Sequence, residues 1–147
     1  MTRTILLLLA TFLLLGMVGS GCQKSSQDGA ARPLKTAAPK GQTFGAAVEG
    51  TPISVSELLA DPASRQGQEV VVEGIMGEVC QSMGCWFYLQ DPATAGEHQP
   101  KQIYIDLQMG AVFTMPKDAK GRQARVLGRV EPNGSDWKLI GKGVVLS

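Results

Sequence analysis

The sequence predicts an all-β domain with one short helix, closed as a small five-stranded barrel, behind a signal peptide and a flexible linker. Three observations predict it. From Glu69 onward, runs rich in Val, Ile and aromatic residues recur at strand length and are separated by turn residues. The first run, Glu69 to Val79, is long and carries Gly74 and Gly77 in its interior, the mark of a bulge or bend where one strand passes between two sheets. Ahead of the runs, residues 23–42 are dominated by Ser, Ala, Gly, Pro, Lys and Gln, with Leu34 the only large aliphatic residue. Such a stretch cannot bury enough apolar surface to fold and reads as a tether.

The N-terminal segment explains why a tether is needed. Arg3 precedes an apolar run from Ile5 to Val18, too short for the roughly 20 residues of a spanning helix, and small residues follow. Residues 1–21 are therefore expected to be a signal peptide. Val18-Gly19-Ser20-Gly21-Cys22 resembles the lipobox of bacterial lipoproteins, with Gly19 in place of the usual Leu; a plain secretory signal cut nearby is the alternative. The lipobox resemblance implies that Cys22 is lipidated and heads the mature chain, and that Gln23 after it directs sorting to an outer membrane. The expected order is a leader over 1–21, lipidated Cys and linker over 22–43, and the folded domain over 44–147.

The domain opens at Phe44-Gly45-Ala46. Ser54 or Ser56 can cap a helix from Val55 to Ala60, with Glu57 in its first turn and Asp61-Pro62 ending it. Strands follow over Glu69–Val79, Trp86–Gln90 and Gln102–Leu107. Residues 108–123 form an insertion with a short helical turn plugging one end, and further strands run over Ala124–Val130 and Trp137–Leu146. Between these last two, Pro132-Asn133-Gly134-Ser135-Asp136 is a strong turn signal, and Gly141 and Gly143 mark kinks. Five strands with a long bent first member and an insertion after the third fit a partly open Greek-key barrel of the OB type.

The chemistry concentrates in Val79-Cys80-Gln81-Ser82-Met83-Gly84-Cys85-Trp86. The chain has three cysteines, so if Cys22 is acylated one pair remains, facing across a hairpin in a compartment that permits disulfides. Three readings stand open. A structural disulfide between Cys80 and Cys85 would staple a small barrel. A soft-metal site would use Cys80, Met83 and Cys85, because thiolate and thioether sulfur select Cu(I) over hard ions. Met76, Met109, Met115 and His98 are further candidates, for which core filling (the methionines) and an exposed loop (His98) are the plainer expectations. Thiol–disulfide exchange is a third, with four residues between the cysteines where the usual redox motif has two. Zinc is disfavoured, since two cysteines and one histidine beyond Cys22 do not complete a four-ligand set.

This octapeptide, with Phe87 and Leu89, resembles the signature of an uncharacterised family of exported bacterial OB-fold domains, often lipoproteins. The resemblance extends over Phe44-Gly45-Ala46, Glu57-Leu58-Leu59-Ala60, Gly67 to Gly74, and Phe113 with Pro116-Lys117-Asp118; Met115 departs from the aliphatic residue expected there. It implies the fold and export, and no activity.

Charge argues against nucleic acid as a partner. The whole chain carries +1, and from Gln42 onward nine basic residues face twelve acidic ones. The basic run Lys117, Lys120, Arg122, Arg125 and Arg129 is diluted by Leu127 on the same strand face. Oligonucleotide or oligosaccharide binding would rest on fold analogy alone. No nucleophile elbow, phosphate loop or dinucleotide fingerprint is present, so the expectation is not an enzyme. It is a membrane-tethered, non-catalytic module whose Cys80–Cys85 hairpin binds a soft metal or, alternatively, clasps a surface that contacts another envelope protein.

Overall fold

A computed structural model describes residues 41–108 and 111–147. The segment expected to be a leader, Cys22, nearly all of the segment read as linker, and Met109 lie outside them. In chain order the elements are β1 (Gln42–Gly45), β2 (Ile53–Ser54), α1 (Val55–Ala60), β3 (Glu69–Val79), β4 (Trp86–Gln90), β5 (Gln102–Asp106), β6 (Gln123–Asn133) and β7 (Asp136–Leu146).

Five of these strands close a ring. β3 pairs antiparallel with β4, β4 with β5, β5 runs parallel to β7, β7 is antiparallel to β6, and β6 returns to β3. Three consecutive strands followed by a crossover to the last strand make the Greek-key barrel of the OB type. Inward positions alternate along each strand, and Val72, Met76, Phe87, Leu89, Ile105, Val126 and Leu139 meet in one buried core.

Ring closure depends on the bend in β3. Residues 69–75 pair with β6 and residues 75–79 with β4, with a register shift between Met76 and Val79. Gly74 sits at this change of partner, where an added Cβ would come 2.4 Å from the Gln90 carbonyl oxygen. A side chain there would push β4 off β3, which is the physical content of the glycine bend.

The helix forms where its cap predicts. The Ser54 hydroxyl accepts a hydrogen bond from the Glu57 amide at 3.0 Å, and Val55 and Leu58 bury one face. Asp91, just past β4, reaches back to this helix. Its carboxylate accepts from Ser56 N at 3.0 Å and Ala93 N at 2.9 Å; the Ser56 side chain, then the Ala93 amide, hold its carboxyl below the usual carboxylate range.

Several details differ from expectation. β5 ends at Asp106, one residue early. The insertion after it forms turns rather than a helical turn among the described residues, yet it delivers Met115 and Ala119 to the core. The last hairpin turns through Gly134 and Ser135 alone, with Pro132 and Asn133 inside β6. Pro132 is tolerated because beyond Val130 β6 has only β7 as a strand neighbour. β1 and β2 were not expected; they add at β7 and β3, and β1 begins at Gln42, inside the segment read as linker. Among the described residues no helix is long and apolar enough to cross a membrane.

Candidate functional site: a dithiol between β3 and β4

The loop joining β3 to β4 is closed by backbone before any side chain contributes. Cys80 N donates to Trp86 O at 2.9 Å and Gly84 N to Cys80 O at 2.9 Å. Two segments from elsewhere in the chain then hold it. Leu107 N donates to Cys85 O at 3.0 Å, and Met115 N donates to Gly84 O at 2.9 Å. Gln81 turns its amide back onto the Val79 carbonyl at 3.0 Å. Gly84 has φ +64, and an added Cβ would lie 2.3 Å from the Met115 carbonyl oxygen. Glycine is required there for conformation and for clearance.

This backbone brings the two sulfurs together. Both cysteines are free thiols, nearly buried, and lie in the loop just beyond the β3–β4 ladder rather than on the strands themselves. Cys85 Sγ donates to Cys80 Sγ across 3.4 Å. Cys80 Sγ also lies 3.1 Å from Ser82 Oγ, and Gln108 Nε2 donates to Cys85 Sγ at 3.2 Å. The Ser82 hydroxyl and the Met83 amide stabilise the Cys80 thiolate and lower its pKa from the ordinary 9.0 to about 6. Of the two sulfurs, Cys80 is therefore the one whose environment favours the thiolate.

The candidates from the sequence separate clearly. Met83 is 64 % exposed and borders, with Cys85, a shallow groove of about 310 Å³ that continues over Leu107, Gln108, Val112 and Phe113. Met76 and Met115 are core residues, 1 % and 3 % exposed, and His98 is exposed on the loop before β5. None of the three joins the dithiol. Among the described residues no group of three or more His, Cys, Asp or Glu side chains is placed to hold a metal ion. Cys22 lies outside the described residues.

Ser82 and Gln108 touch the sulfurs, and the sequence reading gave neither a role. A hydroxyl two residues from a cysteine in a turn is a local signal that was there to read. Gln108 carries none, since the end of β5 brings it from 23 positions away. On the barrel's outer face beside Cys85, the rings of Trp86, Tyr88 and Tyr104 pack with centroids 5.6 to 5.8 Å apart. Burial, then the Asp106 carboxylate and Cys85, push the Tyr104 phenol up. The basic run is largely engaged: Arg125 pairs with Glu73 at 3.3 Å, Arg129 with Glu131 at 2.6 Å, and Arg122 donates to Gln42 at 3.0 Å.

Comparison with known proteins adds little beyond this geometry. No family model matches the chain, and no curated protein matches it. Among solved structures, it is similar to the hypothetical protein YgiW from E. coli, 15 % identical over 67 % of this chain and 91 % of that one, with a TM-score of 0.43. It is also similar to part of a putative aspartyl-tRNA synthetase from Leishmania major Friedlin, 17 % identical over 65 % of this chain and 20 % of that one, with a TM-score of 0.42.

Proposed function

We propose that this OB-type domain is a non-catalytic module, held at a bacterial envelope membrane through lipid on Cys22, that binds one soft monovalent ion such as Cu(I) between Cys80 and Cys85. The observation that carries the reading is the 3.4 Å separation of the two sulfurs, one of them a thiolate. Two sulfurs each about 2.3 Å from a shared ion stand about 4.0 Å apart at the 120° of a three-coordinate site completed by Met83. A small parting of the pair therefore admits an ion. Soft sulfur donors select Cu(I), and a thiol already ionised near pH 6 gives up no proton to the competition at neutral pH. Met83 supplies a thioether at the rim of the same groove.

Titration of the reduced full chain with Cu(I) under a chromophoric competitor tests the reading. One ion per chain is expected, abolished by Cys80→Ser or Cys85→Ser and weakened about tenfold, or about 1.4 kcal/mol, by Met83→Ala. Undiminished binding in the double serine variant overturns it. The tether is tested separately: incorporation of a fatty-acid label should vanish in Cys22→Ser.

The same separation supports a second reading, a disulfide clasp that shapes a contact surface for another envelope protein, since the sulfurs need only close to about 2.05 Å. Thiol counts on protein isolated with and without reductant distinguish the two.

A further inference from the structure

The outward side of β4 and β5 carries no aliphatic side chain. Phe87, Leu89, Ile103 and Ile105 point into the core, so the alternate positions Trp86, Tyr88, Gln90, Gln102, Tyr104 and Asp106 face out. The three rings are half-buried and touch across the two strands, with the planes of Trp86 and Tyr104 30° apart and their centroids 5.8 Å apart. Polar pairs close both ends of the face. Gln90 Nε2 donates to Gln102 Oε1 at 3.1 Å, and at the other end Lys138 Nζ stands 3.1 Å from Asp106 Oδ2. We infer that this face binds an uncharged oligosaccharide, whose sugar rings stack on Trp86 and Tyr104 while its hydroxyls bond to the flanking amides.

Three features select that occupant. First, every outward side chain of the two strands ends in a hydrogen-bonding group, although cross-strand packing alone would be served as well by aliphatic residues. The apolar patch of a folded partner would leave those groups unpaired, whereas a sugar offers C–H faces to the rings and hydroxyls to their rim. Second, the bond within the amide pair leaves Gln102 Nε2 to donate and Gln90 Oε1 to accept, and a sugar hydroxyl serves both. Third, the charges cancel. Lys138 is paired with Asp106, and from Gln42 onward nine basic residues face twelve acidic ones, so the phosphates of a nucleic acid stacking on the same rings would meet no free cation here.

The face is also ordered before anything binds. Tyr88 packs edge-on against both Trp86 and Tyr104, with centroids 5.8 and 5.6 Å away, so the rings lose little rotamer freedom when a ligand lands on them. Gly77 on the neighbouring strand β3 makes room for the Gln90 side chain to lie flat. An added Cβ there would come 2.9 Å from Gln90 Nε2 and displace the amide from Gln102. The rings and the amides are thus fixed by the sheet itself.

Neither metal nor thiol chemistry enters, so failure of Cu(I) binding leaves this site standing. The test uses the reduced, metal-free full chain and two uncharged probes, the β-1,4-linked tetrasaccharides of glucose and of N-acetylglucosamine. Tetragalacturonate and oligodeoxythymidylate are the charged controls. In proton–nitrogen NMR spectra the Trp86 indole N–H signal is expected to move with at least one uncharged probe, and further than that of Trp137, the other tryptophan of the chain. No movement at millimolar probe, a larger movement of Trp137, or tighter binding of either charged control overturns the inference. Gln102→Ala alters an exposed side chain and leaves the rings in place; it should weaken binding at least threefold, and unchanged affinity overturns the inference. Trp86→Ala should weaken it at least tenfold. Should that variant fail to fold, the wild-type shifts and Gln102→Ala decide the question.

Discussion

Two hairpin connections in this barrel place a glycine at nearly the same left-handed angle, and they could hardly differ more in what surrounds it. Gly84, in the β3–β4 loop, has φ +64; Gly134, in the β6–β7 turn, has φ +67. An added Cβ at Gly134 meets nothing within 4 Å, while at Gly84 it meets the Met115 backbone. The residues around Gly134 are exposed and the turn reverses the chain with two residues. The β3–β4 loop is instead tied to Leu107 and Met115, and those ties hold the cysteine sulfurs at their separation. A left-handed glycine thus identifies a turn, and only the second contact identifies a positioned site.

Substitution of the two glycines breaks the comparison most directly. Gly84→Ala should cost about 3 kcal/mol, combining left-handed strain with overpacking against Met115, and should separate the sulfurs enough to lower Cu(I) affinity. Gly134→Ala should cost about 1 kcal/mol from strain alone and leave the dithiol unchanged. Urea unfolding of both variants measures the difference. Equal costs would show that docking on Met115 contributes nothing to the loop.

Much of the fold is legible in the sequence, and the contrast between the two connections shows why some of the site is not. The bounds of β3, β4 and α1 agree with the Val- and Ile-rich run from Glu69, the aromatic run from Trp86 and the cap read at Ser54 or Ser56, because those signals are local. β1 escaped notice because Gln42-Thr43-Phe44-Gly45 has no strand pattern of its own; its partner, the end of β7, makes it a strand. Cys80 and Cys85 were visible as a pair, and the structure brings them into contact. Gln108 and the backbone of Met115 were not, because their approach depends on how the chain after β5 folds back over the loop.

Gln81→Ala sharpens the comparison within the β3–β4 loop itself. It removes the bond to the Val79 carbonyl, a partly exposed contact, and should cost about 0.5 kcal/mol by urea unfolding, without moving the Cys80 titration. A shift in that titration would mean that Gln81 sets the loop's shape and not merely its entry.

Ser82→Ala should change stability least and chemistry most specifically. The hydroxyl is the largest cause of the lowered Cys80 pKa, so its loss should raise that pKa from about 6 toward 9.0, followed by thiolate absorbance in the ultraviolet. Linkage supplies an independent check. Because the folded thiol ionises more readily than the unfolded one, the reduced protein gains nothing from it below about pH 6; the gain grows as pH rises toward 9.0 and is constant above. Urea midpoints across that window should climb in the wild type, climb less in Ser82→Ala and lack this rise in Cys80→Ser. The Gly134→Ala variant should climb as the wild type does, since a turn with no ties to the sulfurs has no means of altering their charge. An identical climb in Ser82→Ala and the wild type would assign the lowered pKa to the Met83 amide, and so to the docked backbone that distinguishes this loop from the other.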